Sequence, residues 1–483
     1  MSLRTPRRRP GAVIGVGLSL ALLVAACGQK PGVHDESASG LPEIIIETGA
    51  GGPAAGEGAT VDGATVDGAA GEGGGASSGG GAAAAGGGEG AGGDGGAAAA
   101  SGSGGTMSLS GSDRTGVSDD AITLAIHAPV TGAAPLPTTS FQKSGDLYWR
   151  WVTQTKGEKV LGRSKVNVLF KDDKYAPNTA IQACRELAQS AFLLVGGGGT
   201  DQIQACGQFA EQAGVPYLSA GVTEAGLRGL RNYFASSMSY PQQTQLLAQY
   251  VKKNLPGKKV GAIITDTPNF DDAAKAWDAA VKQHGLDYFK TLRHPKGNTS
   301  WITAFARDMQ GADVEVLFIL SAPTDYIQFA QQASGQGYKP QYVGVGISKG
   351  LNAVLSAGCP HVDKGIFFSP FPGLDWARQN VPEFFEAGQQ LGAPTDDIAL
   401  ALWGLASVQH EAFKRYEKAF GSTDLTREDF VAMLERQQGL ASKVNPQLSF
   451  SPDDHFGAKQ VHVLQADCGT EEHKTLATFA SGF

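Results

Sequence analysis

Residues 192–220, FLLVGGGGTDQIQACGQFAEQAGVPYLSA, decide the fold of this chain. The apolar run at 192–195 is typical of a buried strand, and so is the run at 215–218. Between them, residues 202–213 place apolar side chains three or four positions apart, which is the spacing of one helix face. A strand, a helix and a second strand at this distance predict a βαβ unit, with parallel strands and a right-handed crossover.

The same alternation extends over most of the chain from residue 121. Apolar runs predict further buried strands at 122–126, 166–170, 233–235, 260–264, 314–320, 342–345 and 366–368. Helical spacing predicts further helices at 179–191, 241–253, 272–284 and 324–334. The predicted fold class is therefore α/β with parallel sheets, and in such sheets ligands bind at the carboxyl ends of the strands.

Composition limits the classes of function. The folded part, about residues 114–483, is long enough for two lobes, because single cores stop growing at a few hundred residues. The chain carries 39 Lys and Arg against 47 Asp and Glu. This balance argues against nucleic acid as a partner, since nucleic acid needs clustered basic side chains. Walker, HExxH and EF-hand motifs do not occur, so neither a metal nor a cofactor is predicted.

The first 27 residues have the pattern of an export signal. Arg4 and three further arginines at 7–9 precede an apolar run at 12–26, which is short for a membrane span. The run ends in Val24-Ala25-Ala26-Cys27, which resembles the lipobox of bacterial lipoproteins. That resemblance implies a signal peptide at 1–26 and a lipid on Cys27, which would place the protein on the outer face of the cell membrane. An ordinary signal peptide or a single membrane helix is the alternative.

Residues 27–113 are predicted to be a flexible tether. Residues 48–106 are mostly Gly and Ala, and they offer no large apolar side chains to offset the entropy of ordering the backbone. A Gly-rich coil of about 80 residues has an end-to-end distance of roughly 45–55 Å. This is enough to hold a folded domain clear of lipid headgroups.

Four cysteines follow Cys27, and none lies in a CxxC pair, which argues against a zinc knuckle. An even number of cysteines in an exported chain predicts disulfides, for which three connectivities are possible. We expect Cys184–Cys206 and Cys359–Cys468. Free buried thiols are the alternative.

Several predicted strands are followed by loops of small and hydroxyl residues. These loops are 128–132, 137–140, 196–200 and 219–223. Each places backbone N–H groups and a hydroxyl at a predicted helix start, where a carboxylate or another anion can bind. Capping of the helix by Ser or Thr is the alternative interpretation of each residue.

Six motifs follow one another along the chain: Thr131-Gly132, Asp172-Asp173, Gly199-Thr200 and the stretches 214–223, 266–270 and 337–340. Together they resemble the type I periplasmic binding proteins, in their branched-chain amino acid branch. The resemblance implies two α/β lobes that are joined by three hinge strands and close on a small solute. It also implies a monomer that delivers the solute to the permease of an ABC transporter. The first lobe would comprise 114–240 and 370–440, and the second 241–369 and 441–483.

The resemblance also implies ligand contacts. By position, Thr200 and Thr223 would bind a carboxylate from the first lobe, and Phe270 would stack on the ligand from the second. The complete set of expected ligand-binding residues is Thr138, Thr139, Ser140, Thr200, Asp201, Thr223, Phe270 and Ser348.

The chain departs from the family pattern in two places. Residues 344–350 lack the acidic residue that usually pairs with an amino acid's ammonium group, and Thr200-Asp201 replaces paired serines. A buried ammonium without a carboxylate partner is costly, so an α-amino acid is a doubtful ligand. Asp201, Asp266 or Asp271 are possible substitutes, and Lys349 would suit an anionic ligand. Amides, urea-like compounds and small carboxylates remain alternatives.

Two other functions fit parts of the sequence. Residues 346–350 read G-x-S-x-G after a predicted strand, as in the α/β-hydrolases, where Ser348 would be the nucleophile. His410, His455 or His462 would then complete a catalytic triad. A tethered sensor with the same two-lobe fold is the other alternative. We expect a solute-binding protein without catalytic activity.

Overall fold

The computed structural model describes residues 107–346 and 350–483. The predictions that concern the signal peptide, Cys27 and most of the tether lie outside the described residues, and so do Ser348 and Lys349. Among the described residues, no helix is both long enough and apolar enough to span a bilayer.

The first lobe is built on a five-stranded parallel sheet in the order β2-β1-β3-β4-β5. Its strands are β1 (Ala121–Ala128), β2 (Lys165–Asp172), β3 (Leu193–Gly196), β4 (Tyr217–Ser219) and β5 (Tyr233–Ala235). Its first helices are α1 (Thr138–Ser144), α2 (Leu147–Arg150), which continues into a π turn at Trp151–Thr155, α3 (Pro177–Ala188) and α4 (Thr200–Ala213). All the residues of β3, β4 and β5 are buried, as expected for parallel strands covered on both faces.

The second lobe is built on a seven-stranded sheet in the order β12-β11-β10-β9-β8-β6-β7. Its strands are β6 (Val260–Thr265), β7 (Tyr288–His294), β8 (Val316–Leu320), β9 (Gln341–Gly344), β10 (Ile366–Ser369), β11 (Val461–Asp467) and β12 (Glu472–Ala480). Its helices are α5 (Tyr240–Asn254), α6 (Asp271–Gln283), α7 (Ile302–Gly311), α8 (Pro323–Gly335) and α9 (Asn352–Gly358). Only β11 pairs antiparallel with β10 and β12 among these described strands. The predicted α/β class with parallel-dominated sheets is confirmed.

Four further helices follow β10. They are α10 (Leu374–Asn380), α11 (Pro382–Leu391), α12 (Asp397–Phe420) and α13 (Arg427–Leu434). Helix α12 packs on α1 and α2, so the chain has returned to the first lobe. The Asp396 side chain caps α12 by accepting from the Ala399 N–H, and Gly421 ends the helix in the left-handed conformation at φ 61°.

The chain passes between the lobes three times: after β5, after β10 and before β11. The third passage differs from the expected boundary at residue 441. His455 stacks on Phe234 at 4.3 Å between ring centroids, and Phe456 forms a bridge with Ala235. Residues 455–456 therefore pack on the first lobe. Their backbone pairing with β5 decides this position, and such long-range pairing cannot be recognised from the local sequence.

Three strands of the second sheet were not predicted from the sequence: β7, β11 and β12. Of these, β7 and β12 carry no continuous apolar run. They are the two edges of that sheet. An edge strand has one side free and carries charged side chains such as Lys290 and Lys474, so the buried-strand pattern is absent. The strands that the sequence did predict lie in the first sheet or in the interior of the second sheet.

Residues 107–114, which we call the strap, bind the start of the described chain to the first lobe. Ser110 and Gly111 donate their N–H groups to the Asp429 carboxylate at 3.0–3.3 Å. Arg114 binds Asp424 through two nitrogens at 2.6 and 2.7 Å. The described chain therefore begins against α13 and the loop before it.

Both expected cysteine pairs are disulfides in the structure. Cys184–Cys206 joins α3 to α4, and Cys359–Cys468 joins the end of α9 to the end of β11, 109 residues further along the chain. A loop of that length gives a large entropic effect on the unfolded chain.

We expect Cys359→Ser to lower the free energy of unfolding by about 2–5 kcal/mol, because the unfolded chain loses a long covalent loop. In unfolded, unreduced protein a thiol probe should label Cys468. Cys184→Ser is the matched control and should leave Cys206 reactive instead, with Cys468 protected. Labelling of Cys206 in the Cys359→Ser protein would contradict the pairing.

Candidate functional site

A cavity of about 140 Å³ lies between the lobes, at the carboxyl ends of strands from both sheets. Lining segments follow β1, β2, β3 and β4 in the first lobe and β8, β9 and β10 in the second, and one face of α12 completes the wall. This is the position at which α/β sheets bind ligands.

The glycine loop 196–199 forms one wall of the cavity, and packing explains two of its glycines. A Cβ on Gly196 would lie 2.2 Å from the Tyr217 hydroxyl. A Cβ on Gly197 would lie 2.8 Å from the Ala128 Cβ and 3.0 Å from the His127 carbonyl oxygen. The loop therefore passes so close to the sheet that only glycine fits. This packing role of Gly196 and Gly197 is separate from the anion binding that the sequence predicts at the start of the following helix.

A buried polar network supports this loop from below. The His127 ring lies between Asp173, 2.8 Å from Nδ1, and the Tyr217 hydroxyl, 2.8 Å from Nε2. The other Asp173 oxygen accepts from the Tyr175 N–H at 3.0 Å. Since Tyr175 lines the cavity, the network holds the loop after β2 and the glycine loop at fixed positions.

Helix α4 begins at the cavity with its amino terminus uncapped by any side chain. Gly199 occupies the cap position at φ 79°, and Thr200 is the first helical residue. The N–H groups of an uncapped first turn, with the positive end of the helix dipole, favour a negatively charged or acceptor group. Asp201 already lies in that first turn.

Two aromatic rings of the second lobe, Phe270 and Tyr240, line the cavity. Phe270 stacks on Tyr240 with 6.1 Å between centroids and 5° between planes. Burial raises the pKa of Tyr240 to about 12, and a hydrogen bond with the Thr200 side chain partly offsets that shift. Tyr240 is therefore a neutral hydroxyl at physiological pH, beside Thr200.

Most polar side chains of the cavity wall are already hydrogen-bonded to the protein. Ser236 donates to the Ser219 carbonyl at 2.9 Å, and Ser321 donates to Asp325 at 2.8 Å. The Gln243 side chain donates to Met238 and accepts from the Gly346 N–H. The Asn445 Oδ1 atom, in contrast, is buried without a hydrogen-bond partner within the described part of the chain.

Among the described residues that line the cavity, none is Asp, Glu, Lys, Arg or His. Most are apolar, and the largest of these are Leu136, Ile203, Phe270, Leu351, Phe371, Leu402 and Leu405. An ammonium group would be desolvated in this cavity without a carboxylate to pair with. An apolar body is the chemistry that the wall accommodates best.

Of the residues expected at the ligand, Thr200 and Phe270 line this cavity. Thr223 does not, because its hydroxyl donates to Asp272 of the second lobe at 2.9 Å. Asp201 does not line it either, because its carboxylate pairs with Lys296. Both side chains instead join the two lobes.

Three other expected residues lie on α1 and are not part of the cavity wall: Thr138, Thr139 and Ser140. The Ser140 hydroxyl donates to Asp396 at 2.6 Å and so connects α1 to the cap of α12. The resemblance places these three residues at the ligand, whereas in the structure α1 packs on α12 and residues of the 129–136 segment line the cavity.

The carboxylates considered as ammonium partners have other contacts. Asp266 and Asp271 both pair with Arg293, at 3.3 and 2.9 Å. The three histidines considered for a triad are also placed elsewhere. His410 lies against Tyr148, His455 against the Leu230 and Tyr233 carbonyls, and His462 against the Val444 carbonyl.

Sequence reasoning missed Tyr175, Tyr240, Asn445 and the α12 face at Leu402 and Leu405. The α12 leucines carry only the ordinary signal of a core-facing helix. Asn445 lies 246 residues after Gly199, the last residue of the glycine loop, and in an irregular segment, so tertiary packing alone brings it to the cavity.

Asp397 makes another contact between the lobes, next to the cavity. Its Oδ2 accepts from the Asn352 N–H at 2.5 Å, beside Leu351 of the cavity wall. Burial raises the pKa of Asp397 to about 7, although hydrogen bonds from Asn352 and Ile398 lower it in part.

Gly197→Ala should lower the free energy of unfolding by about 1–3 kcal/mol, because its Cβ overlaps the sheet below the loop. The measurement is urea unfolding. Gly335→Ala at the end of α8 is the matched control, since a Cβ there meets nothing within 4 Å. It should be neutral or stabilising by up to about 1 kcal/mol. Equal stability of the two variants would contradict the close approach of the loop.

Known proteins resemble this chain in sequence and in fold. The sequence pattern of the family described as "Periplasmic binding protein" matches residues 121–472. A protein of Brucella abortus (strain 2308) named Leu/Ile/Val-binding protein homolog 7 is 28% identical over 215 residues, which are 42% of this chain and 52% of that protein. The chain thus spans about half the length of the curated relatives it matches.

Solved structures share the fold at low sequence identity. A fatty acid ABC transporter substrate-binding protein from Thermomonospora curvata superposes with a TM-score of 0.66 at 19% identity, over 77% of this chain and 95% of that one. A branched-chain amino acid ABC transporter protein from Thermus thermophilus, with bound valine, gives 0.62 at 16% identity, over 76% and 98%. With a family pattern that covers most of its length and with this fold, the chain belongs to the periplasmic binding protein family.

Proposed function

We propose that this protein is an extracytoplasmic solute-binding protein of an ABC importer, and that it binds a small solute between its two lobes without transforming it. The observation that carries this proposal is the cavity, whose wall is shared by loops of both lobes at the carboxyl ends of their strands. A ligand in that position contacts both halves at once. It therefore favours the arrangement in which the lobes are together.

The proposed solute is a monocarboxylic acid with an aliphatic or aromatic body and no ammonium group. The apolar wall would bury the body, with Phe270 and Tyr240 at one side. The uncapped amino terminus of α4, beside the Thr200 hydroxyl, would accept the carboxylate. The absence of a charged side chain among the described lining residues disfavours a zwitterion more than a simple acid.

The names of the structural neighbours are compatible with this choice. One is named for fatty acids and another contains bound valine, so proteins with the same fold take both kinds of solute. The side chains of the cavity wall therefore have to decide between them. The lining side chains that the structure describes provide apolar surface and no carboxylate to pair with an amino group.

Delivery to a permease would follow from the closed shape. A solute can shift the lobes only by the difference between its affinities for the closed and open arrangements. Contacts to both lobes provide that difference, and a permease that recognises the closed surface would bind loaded protein preferentially. The proposed lipid on Cys27 and the long Gly-rich segment would keep the protein near such a permease. Because the strap at 107–114 contacts the first lobe, the tether would attach to that lobe and leave the second lobe free to move.

A matched pair of solutes tests the proposed class: 4-methylpentanoate is leucine without its amino group. We expect 4-methylpentanoate or benzoate at millimolar concentration to raise the melting temperature by a few degrees, because a ligand that binds only folded protein stabilises it by mass action. Leucine should leave the melting temperature unchanged. A rise with leucine and none with either acid would contradict the proposed class.

The location of binding needs its own control. Phe270→Ala should weaken the binding of the active acid by roughly tenfold or more, because a stacked aromatic in a buried site contributes strongly to affinity. Phe289→Ala removes a partly buried aromatic of β7 that does not line the cavity, and it should leave affinity unchanged. Equal effects of the two substitutions would place binding elsewhere.

Substitution of Cys27 tests the anchor. We expect Cys27→Ser to move the protein from the membrane fraction to the soluble extracytoplasmic fraction, because the acceptor of the lipid is lost. Cys359→Ser retains Cys27 and should remain with the membrane. An intact mass of the native protein without any fatty acyl group would contradict the anchor while leaving solute binding untouched.

A further inference from the structure

Several polar contacts join the two lobes outside the cavity wall. The Asp272 carboxylate, in the first turn of α6, accepts three hydrogen bonds through one oxygen from the loop after β4. The donors are the Thr223 hydroxyl at 2.9 Å and the N–H groups of Glu224 at 2.6 Å and Ala225 at 3.2 Å. Asp272 belongs to the second lobe and all three donors belong to the first, so separation of the lobes breaks every one of these bonds.

Lys296 makes a second set of contacts between the lobes. It follows β7 in the second lobe, and its ammonium group pairs with Asp201 in the first turn of α4. The same nitrogen lies 4.4 Å from the centroid of the Tyr175 ring, which lines the cavity from the first lobe. Lys296 therefore lies between two first-lobe side chains, one of them aromatic, and its contacts combine an ion pair with a cation–π interaction.

A third contact lies next to the first two. Asn269, three residues before Asp272, donates to the Gln204 side chain, which is one turn along α4 from Asp201. We call these three contacts the latch: Asp272 with 223–225, Lys296 with Asp201, and Asn269 with Gln204. None of these residues lines the cavity.

We propose that the latch populates the closed arrangement of the lobes before a solute binds, and that it thereby sets solute affinity through residues that do not touch the solute. When only a fraction of the protein is in the binding-competent arrangement, the apparent affinity falls by that fraction. A contact made only when the lobes are together increases that fraction. The inference depends on the two-lobe fold and is independent of the proposed solute class.

The chemistry of the contacts ranks their contributions. Hydrogen bonds to an ionised carboxylate are about twice as strong as bonds between neutral groups, and Asp272 accepts three. The Lys296 side chain is 32% exposed and its Asp201 partner 18%, so solvent screens that pair only in part. Asp272 should therefore contribute more than Lys296, and salt should weaken only the Lys296 contact appreciably.

Distance measurements between spin labels test the latch without any solute. Labels would be placed at Gln142→Cys on α1 and Lys282→Cys on α6, both exposed, in the full chain carrying Cys27→Ser. The four other cysteines are in disulfides and do not react. We expect a short-distance population in the otherwise native protein. Asp272→Ala should lower the ratio of closed to open protein by about tenfold, and Lys296→Met by about two- to fivefold.

Two further variants separate a latch from a general loss of structure. Asp278 also lies on α6 and accepts from the Tyr288 and Thr291 hydroxyls, at 2.6 and 2.9 Å, but both belong to its own lobe. Asp278→Ala should therefore leave the distance distribution unchanged. Thr223→Val should lower the closed population in native protein and have no further effect when combined with Asp272→Ala, since both remove the same contact.

Three outcomes would overturn the inference: no short-distance population in the native protein, no change in either latch variant, or an equal change in Asp278→Ala. Should Asp272→Ala fail to fold, Lys296→Met decides the matter, because that side chain is at the surface. Failure here would leave the proposed importer role intact. Conversely, a latch that works while both test acids fail to bind would refute only the solute class.

Discussion

The structure of the site depends on how closely the glycine loop passes over the first sheet. Two consecutive glycines lie against the Tyr217 hydroxyl and the Ala128 side chain, at distances that no Cβ would tolerate. The loop therefore stays in contact with the carboxyl end of the sheet. This contact fixes the position of Thr200, where α4 begins. The uncapped first turn of α4 reaches the cavity for this reason. The His127–Asp173 pair beneath the loop fixes the same region from the side of β2.

Ionised groups and apolar groups are separated around the cavity. The described wall is apolar with a few hydroxyls and amides, most of which bond to the protein itself. The carboxylates and the ammonium group that the sequence places near the loops lie further out, where they connect one lobe to the other. These charged groups keep hydrogen-bond or ion-pair partners and partial access to water, which lowers the cost of retaining them. Within the described wall, a solute meets no carboxylate that would pair with an ammonium group of its own.

Because of this separation, several residues have a role that differs from the one expected from the sequence. Thr223 and Asp201 resemble ligand contacts by their position in the chain, yet their side chains contact the opposite lobe. Binding in a two-lobe protein has two sources of free energy, the contacts to the solute and the contacts between the lobes. Residues of the second kind act on affinity from outside the cavity. The Asp397–Asn352 contact beside Leu351 belongs to the same kind.

The sequence by itself determined the α/β class and most of the strands in sheet interiors, whereas Thr200 and Phe270 were expected at the ligand only through the family resemblance. Those features depend on local patterns, because buried parallel strands are continuous apolar runs and loops at their ends carry small residues. The tertiary structure decided what local patterns do not encode. The edge strands β7 and β12, the α12 face at Leu402 and the Asn445 side chain take their roles from partners far away in the chain. Whether a hydroxyl or carboxylate faces a solute or the opposite lobe depends on the relative position of two lobes, which no local sequence pattern encodes.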